Sequence, residues 1–325
     1  MTSLLAQIRE RVQQSADQPC VVADAETWTF ARLWDQAGRV AAFLRTNGLQ
    51  TGERVALIAE NSPQYMAVFY GVLLAGGAVV PMNTNAKARD FENWIQHAQA
   101  RFAFVDFAPR EMHKLLQVSL PATLLAVNQS AAAMVPESML HGIEADWSDI
   151  DAVAPDVDQP GLTADKHQLA CIIYTSGTTG NPKGVMISHG NLASNVASIL
   201  AALPIQPGDR FLNVLPFYYS YGNSVLHTHV VQGATLLLEN SLMYPHAVVA
   251  RMQNERVTGF AGVPSTFALL LSRGKVAEHD LSALRYVLQA GGAMAVPLTR
   301  DVMTLMSPHL YVMFGQTEAT ARLTR

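Results

Sequence analysis

Short apolar runs alternate with amphipathic segments along most of the 325-residue chain. Residues 30–44 place apolar side chains at three- and four-residue steps, which predicts a helix that Asn47 and Gly48 end. Residues 54–59 form a nearly continuous apolar run, as in a buried strand. This alternation predicts an α/β fold with mainly parallel sheets that helices cover on both faces.

The same alternation continues to residue 313. Further strands are predicted at residues 78–80, 102–105, 169–173, 185–187, 210–216, 235–239, around 260, at 285–289 and at 310–313. Further helices are predicted from residue 63, through 91–95, and at 112–118, 188–203, 221–231, 245–256, 264–271 and 297–306.

One apolar span, residues 65–82, is nearly long enough to cross a membrane. Ser62 and Pro63 provide a helix start before it, and Gly76, Gly77 and Pro81 interrupt it. We therefore expect a buried helix followed by a buried strand, with no insertion into a membrane.

Composition narrows the partners and the compartment. Half of the residues are hydrophobic, the net charge is −4, and no basic cluster is present, so we expect a small-molecule substrate and no nucleic acid. Cys20 and Cys171 are the two cysteines, too few for a disulfide framework or a zinc site. The first fourteen residues lack a signal-peptide pattern, and we expect a cytoplasmic protein. Residues 144–165, with seven acidic residues and no lysine or arginine, predict a solvated surface connection.

A loop rich in glycine and hydroxyl groups lies between two predicted strands just past the middle of the chain. It reads Tyr174-Thr175-Ser176-Gly177-Thr178-Thr179-Gly180-Asn181-Pro182-Lys183-Gly184-Val185. Glycines let backbone N–H groups face an anion, and hydroxyls and a lysine add donors, so the loop predicts a polyphosphate site. The loop of nucleotide triphosphatases requires glycine before the lysine and a hydroxyl after it, whereas Pro182 and Gly184 occupy those positions. A kinase or motor triphosphatase is therefore disfavoured.

This stretch resembles the phosphate-binding loop of the adenylate-forming enzymes, which include acyl-CoA synthetases, luciferases and adenylation domains of peptide synthetases. The resemblance implies that ATP and a carboxylic acid are the substrates. It also implies that residues of the loop bind the β- and γ-phosphates, namely Thr175, Ser176, Gly177, Thr178, Thr179, Gly180 and Lys183.

Two downstream segments are similar to the nucleotide-binding segments of the same family. In Met313-Phe314-Gly315-Gln316-Thr317-Glu318, the resemblance implies that Thr317 contacts the α-phosphate and that Glu318 holds Mg²⁺. Phe314 and Gly315 would lie beside the adenine, with Phe314 where tyrosine is usual. Gly291, Gly292 and Ala293 match the segment that passes along the adenine and the acyl pocket.

A fourth segment, residues 215–222, resembles the part of the family that faces the acid. It implies that Tyr219, Tyr221, Gly222 and Asn223 contact the substrate, with Tyr219 at a position where many members have histidine. No acidic residue here suits an α-ammonium group, so we expect a fatty or aryl acid, with an amino acid as the alternative. His227 and His229 lack a third ligand and predict packed or surface histidines.

The resemblance also implies the architecture. We expect residues 1–325 to form most of the large N-terminal domain of such an enzyme, with two sheets in αβαβα layers. One subdomain would span about 54–200, and the other would combine about 1–50 with 208–325. The family's small C-terminal domain and its catalytic lysine have no counterpart here, so we expect a truncated chain with little or no turnover. The acceptor would be coenzyme A or the phosphopantetheine of a carrier protein. The alternative is a catalytically silent nucleotide- or acyl-binding module.

Overall fold

The computed structural model describes residues 2–24, 26–105, 123–126, 143–156, 159–175 and 183–322. The chain divides into two compact units. Unit 1 comprises Met1–Val12 and Ala31–Ala193, and unit 2 comprises Gln13–Phe30 and Ser194–Arg325.

Helices surround a sheet in each unit. The described α-helices are α1 (Leu4–Ser15), α2 (Phe30–Thr46), α3 (Pro63–Leu74), α4 (Ala88–Ala98), α5 (Trp147–Asp151), α6 (His189–Ala202), α7 (Ser220–Gln232), α8 (Pro245–Asn254), α9 (Pro264–Arg273) and α10 (Val296–Leu305). Short 3₁₀ turns cover Pro160–Thr163, Val276–Glu278 and Thr317–Ala319.

The sheet of unit 1 is mainly parallel. Its strands are β3 (Arg54–Ile58), β4 (Ala78–Pro81), β5 (Ala100–Val105), β6 (Thr123–Ala126), β7 (Ile143–Ala145), β8 (Leu169–Thr175) and β9 (Lys183–Ser188). They lie in the order β7-β6-β5-β3-β4-β8-β9, and the edge strand β9 is antiparallel to β8. Its apolar core lies between the sheet and α4 and includes Ile58, Val80, Phe91 and Val105.

The sheet of unit 2 repeats this winding. Its strands are β1 (Pro19–Ala23), β2 (Glu26–Thr29), β10 (Arg210–Asn213), β11 (Thr235–Leu238), β12 (Gly259–Gly262), β13 (Tyr286–Gln289) and β14 (Leu310–Val312). The order is β14-β13-β12-β10-β11-β1-β2, with β2 antiparallel to β1. In each sheet the first strand of the α/β series is central, the second lies on one side, and the next three lie on the other.

Helix α3 shows how local sequence produces these elements. The Ser62 hydroxyl accepts a hydrogen bond from the Tyr65 amide at 3.0 Å, and Pro63 occupies the first turn. Almost every residue of the helix is buried, and a Cβ at Gly71 would lie 2.6 Å from Val40 of α2. The apolar span is thus a core helix, and no helix of the described residues is long and apolar enough to cross a membrane.

The predicted α/β fold with two mainly parallel sheets is confirmed, with small differences in element bounds. The hairpin of β1 and β2 has no counterpart among the predicted elements, because its apolar runs are short. The predicted helix at 112–118 lies outside the described residues. The sequence analysis expects residues 1–50 in the subdomain of the second sheet, whereas only Gln13–Phe30 of them lies in unit 2 and α2 from Ala31 onward lies in unit 1.

The prediction of a solvated connection over residues 144–165 holds for most of the described residues of that stretch, which are exposed or partly exposed, but two apolar side chains depart from it. Trp147 and Ile150 lie one turn apart in α5 and are 6% and 1% exposed. The carboxylate of Asp156 pairs with Arg45 of α2, and Arg39 donates to the Val153 carbonyl at 2.8 Å. Asp156 therefore forms an ion pair, and Asp146 caps α5.

Candidate functional site

The predicted phosphate loop joins β8 to its antiparallel partner β9 in unit 1. Thr175 and Lys183 face each other in the last register pair of this hairpin, and Lys183 is exposed. The predicted ligands Ser176, Gly177, Thr178, Thr179 and Gly180 lie outside the described residues. The two strands therefore bring the ends of the loop together, and Lys183 lies at one of these ends.

Aromatic packing supports the base of this hairpin. The Tyr174 ring stacks on Trp94 of α4 with centroids 5.4 Å apart, and its hydroxyl lies 2.7 Å from His97 Nδ1. Burial raises the pKa of the Tyr174 phenol to about 12, so it stays neutral near neutral pH. A Cβ at Gly184 would lie 2.8 Å from Ile172 Cγ2 on the facing strand. The residue after Lys183 must therefore be small.

In unit 2, the other three predicted segments follow parallel strands at one edge of the sheet. Residues 214–219 follow β10, residues 290–295 follow β13, and residues 313–319 follow β14. Because the carboxyl ends of parallel strands meet at the same edge, these loops come together. β10 and β12 are neighbours in the sheet. From β10 the chain continues to β11 on one side, whereas from β12 it continues to β13 on the other side. The crevice between two such neighbouring strands is the usual ligand site of an open α/β sheet.

Thr317 and Glu318 lie on the 3₁₀ turn after β14. Thr317 Oγ1 donates a hydrogen bond to Ser220 Oγ at 3.1 Å, which attaches the turn to the first residue of α7. Glu318 is exposed. A Cβ at Gly315 would lie 1.4 Å from the Ala321 carbonyl oxygen, so the chain closes on itself around this glycine. The structure thus presents a fixed hydroxyl beside a free carboxylate.

The segment after β13 presents bare backbone. Gly291 has a φ of +84°, which favours glycine, and the atom nearest to a Cβ at Gly292 would be 3.6 Å away. Gln289 Nε2 donates to the Gly292 carbonyl at 2.8 Å, while its Oε1 is buried without a hydrogen-bond partner among the described residues. Ala293 is exposed. This segment is an open surface that a flat ring can approach closely.

Phe314 provides an aromatic face at the same edge, since it is 57% exposed directly after β14. The Met313 amide donates to the Gln289 carbonyl at 2.8 Å, which joins the Phe314 segment to the end of β13. The two predicted adenine-binding segments are therefore neighbours in the structure.

The predicted acid-binding residues form the start of α7. Tyr219 precedes the helix, is 48% exposed, and lies against Tyr218 with ring centroids 4.6 Å apart. A Cβ at Gly222 would lie 2.1 Å from the Pro216 carbonyl oxygen, so glycine is needed here. Asn223 is buried, and its Nδ2 has no partner among the described residues. Burial also raises the pKa of Tyr221.

One residue that packs against α7 is not predicted from the sequence, and two histidines within the helix are. Arg322, a lone arginine with no motif around it, is buried, and its Nε donates to Ser224 Oγ at 3.0 Å. Burial lowers its pKa to about 10. His227 and His229 are buried within the helix, and burial lowers the pKa of each to about 3. Their burial shows that both are packed histidines, and the described residues hold no group of three or more His, Cys, Asp or Glu side chains that could hold a metal ion.

The chain matches a model of the family described as AMP-binding enzyme over residues 8–324. A long-chain-fatty-acid–CoA ligase of Bacillus subtilis (strain 168) is 27% identical over 90% of this chain and 56% of its own length. An L-proline–[L-prolyl-carrier protein] ligase of Streptomyces coelicolor is 29% identical over 95% of this chain and 58% of its own length. A feruloyl-CoA synthase of an Amycolatopsis species is 27% identical over 89% and 54%. The chain therefore spans between 54% and 58% of the length of these three relatives.

Solved structures share the fold. The anthranilate CoA ligase AuaEII in complex with anthranoyl-AMP superposes with a TM-score of 0.87 at 20% identity, over 97% of this chain and 60% of that chain. The N-terminal domain of FACL13 from Mycobacterium tuberculosis, bound to an inhibitor, gives 0.81 at 22% identity, over 97% and 76%. The family model covers nearly the whole chain, so the predicted family is confirmed: this chain belongs to the family of AMP-binding enzymes.

Proposed function

We propose that this chain supplies the ATP- and acid-binding part of an AMP-forming ligase. The enzyme activates a carboxylic acid to an acyl-adenylate and passes the acyl group to the thiol of coenzyme A or of a carrier protein. The observation that supports this most is the Thr317–Glu318 turn, held on α7 at the edge where the glycine segment of β13 also ends. Membership of the family supports the same reaction.

The reaction brings two anions together. A carboxylate oxygen forms a bond to the α-phosphorus of ATP, and the bond from that phosphorus to pyrophosphate breaks. Catalysis requires donors that neutralise the phosphates and hold the reactants in line. We assign the α-phosphate contact to the Thr317 hydroxyl. With the phosphate bound, the Ser220 hydroxyl would turn to donate to Thr317 Oγ1, which leaves the Thr317 proton for the phosphate oxygen. We assign the β- and γ-phosphates to the loop from Thr175 to Lys183, whose exposed ammonium group supplies a mobile positive charge.

The described residues fit ATP with Mg²⁺. The open backbone at Gly291 and Gly292 and the exposed ring of Phe314 suit the adenine, and the unpartnered Gln289 Oε1 offers an acceptor beneath them. Mg²⁺ in nucleotide sites is commonly held by one or two carboxylates together with phosphate oxygens and water. Glu318 is exposed and would be that carboxylate. When bound, the ion would add positive charge at the phosphates.

For the acid, we propose a fatty or aryl carboxylic acid. The described segments 213–223, 289–295 and 313–322 carry a single carboxylate, Glu318, which we assign to Mg²⁺. The buried Arg322 adds a positive charge beside α7, which disfavours an α-ammonium group nearby. Tyr219 and Tyr221 supply aromatic surface at the start of the helix. The prolyl-carrier ligase among the relatives keeps an amino acid as the alternative.

The proposal is tested by measuring binding and exchange on the same preparation. We expect calorimetry to detect Mg·ATP and a non-hydrolysable acyl-sulfamoyl-adenosine. Thr317→Val should weaken binding of both, whereas Glu318→Gln should weaken binding of Mg·ATP. Pyrophosphate exchange is then run with fatty, aryl and amino acids in parallel. Exchange with amino acids alone would reverse the proposed acid class. Neither binding of the nucleotides nor exchange with any acid would overturn the proposed function.

A further inference from the structure

Three hydroxyl residues lie at four-residue intervals on one face of α7. They are Ser220, Ser224 and Thr228, and residues four apart on a helix lie one above the other. Ser220 accepts the hydrogen bond from Thr317 described above. The other two accept from one side chain, because Arg322 Nε donates to Ser224 Oγ at 3.0 Å and its Nη2 reaches Thr228 Oγ1 at 3.5 Å.

These contacts attach both ends of residues 317–322 to the same helix. Between the two attachments the backbone is strained, since Thr320 and Ala321 have φ of 63° and 79° although neither is glycine. Left-handed conformations are unfavourable for residues other than glycine, and they persist where surrounding contacts impose them. Two backbone hydrogen bonds hold the shape of the turn. The Thr320 amide donates to the Thr317 carbonyl, and the Ala321 amide donates to the Gln316 carbonyl.

Arg322 is enclosed by its neighbours. It is 6% exposed, its guanidinium carbon lies 5.7 Å from the centre of the Tyr221 ring, and its Nη1 lies 3.9 Å from Met313 Sδ. Its backbone carbonyl accepts from Asn195 Nδ2 at 3.3 Å. No carboxylate of the described residues pairs with it. Burial of a guanidinium without a counter-charge is costly, so this arginine is a poor choice for stability alone.

An arginine does suit the geometry. Its planar fork directs several N–H groups at acceptors in fixed positions, and here it spans two hydroxyls one helical turn apart. A lysine offers a single point charge on a flexible stem and could not hold both with the same geometry. The side chain therefore fixes the end of the strained turn relative to the helix that also carries Ser220.

We propose that Arg322 is a positioning residue, which holds the turn bearing Thr317 and Glu318 in register with α7. This inference rests on the proposed function, because the turn then places its hydroxyl and carboxylate against the nucleotide. Ser224 and Thr228 contribute to the same positioning, because they accept the hydrogen bonds of Arg322. A misplacement of about 1 Å at such a turn can cost up to about 10²-fold in rate.

Hydrogen exchange tests the link without any ligand. The amides of Ala319, Thr320 and Ala321 are bonded within the turn, and we expect Arg322→Met to speed their exchange by about tenfold or more, the loss expected for one charge-assisted hydrogen bond. Arg322→Lys should give an intermediate rate. The matched control is Arg300→Met, at an exposed position of α10. Unchanged exchange at the turn in Arg322→Met would overturn the proposal.

A second measurement guards against general unfolding. Thr228→Val and Ser224→Ala keep the arginine and remove one acceptor each, so each should speed exchange at the turn more than in α9, which lies elsewhere in unit 2. Equal acceleration in both places would mean that the arginine only stabilises the unit, and would overturn a positioning role.

A double-mutant cycle tests the consequence for the nucleotide. Thr317→Val should weaken Mg·ATP binding in the wild-type chain and change it by less than about threefold in the Arg322→Met background, because coupled residues are not additive. Additive effects would contradict the proposal. A wild-type chain that binds no Mg·ATP would instead refute the proposed function, and hydrogen exchange would still decide whether Arg322 holds the turn.

Discussion

The carbonyl oxygen of Ala321 lies 1.4 Å from the point where a Cβ at Gly315 would be placed. No side chain can occupy that point, so the two ends of the Thr317–Glu318 turn approach as closely as the backbone allows. Gly315 is therefore required by a contact within its own loop. This steric contact explains why the segment that resembles the family's has glycine at this position.

Gly315→Ala should open this turn. A Cβ would displace the Ala321 carbonyl, and forced overpacking typically costs about 1–3 kcal/mol. We expect the free energy of unfolding to fall by an amount in that range and Mg·ATP binding to weaken together with it. The control is Gly208→Ala, which has a φ of +79° and nothing within 4 Å of the new Cβ. It should cost about 1 kcal/mol from backbone strain alone and leave nucleotide binding unchanged.

The buried histidines of α7 predict a loss of stability in mild acid. The pKa of His229 is lowered from 6.5 to about 3 in the folded chain. Below pH 6.5 the unfolded chain takes up a proton that the folded chain does not, so stability falls as the pH drops from 6.5 toward 3. Each such histidine contributes about 1.4 kcal/mol per pH unit.

His229→Gln should reduce this dependence by the share of one histidine. Urea unfolding at several pH values between about pH 6 and pH 4 measures the slope. Met243→Leu, at a position that is 75% exposed and carries no titratable group, should leave the slope of the wild-type chain unchanged. Equal slopes in the wild-type chain and His229→Gln would mean that the imidazole is protonated in the folded state.

Asp209 connects three elements at the amino edge of the unit 2 sheet. Its carboxylate accepts from Arg285 at 2.5 Å, from the Thr258 hydroxyl at 2.8 Å and from the Tyr286 hydroxyl at 3.2 Å. Asp209→Asn removes the charge and part of the acceptor capacity, and we expect a loss of about 2–3 kcal/mol, moderated because Arg285 can reach solvent. Denaturant unfolding checks this, with the exposed Asp301→Asn as a control that should change stability by less than about 0.5 kcal/mol.

Tyr174→Phe tests which contact of Tyr174 stabilises the hairpin of β8 and β9. The change removes the hydroxyl contact with His97 and leaves the stack on Trp94 in place, so we expect a loss of about 1 kcal/mol. Tyr244→Phe, at a position that is 63% exposed, should be neutral. Thermal unfolding of the two variants measures both changes in stability. A neutral Tyr174→Phe would show that the stack on Trp94 alone positions the end of β8.

Strong local patterns made much of the fold predictable. The Ser62-Pro63 start of α3 and the glycine that ends α7 act through hydrogen bonds and backbone angles within a few residues. The hairpin of β1 and β2 was not predicted, because Val21 pairs with Leu236, far away along the chain. Trp147 and Ile150 were read as part of a solvated stretch because their acidic neighbours dominate the composition.

The residues of the candidate site also fall into those that a local pattern predicts and those that it does not. Thr317, Glu318, Gly291 and Gly292 could be named as candidates from short motifs, since each lies in a contiguous segment that resembles a segment of the family. Arg322 could not, because a single arginine carries no pattern. Its burial depends on which helix the turn meets.

The sequence by itself determined the alternation of helices and strands and the family, because periodicity and contiguous motifs are local properties. Only the tertiary structure decided that Gly315 faces the Ala321 carbonyl, that Ser220 supports Thr317, and that Arg322 is buried against α7. These relations join residues that lie apart along the chain or turn back on themselves. Close packing of particular surfaces creates them, and no local pattern encodes which surfaces will meet.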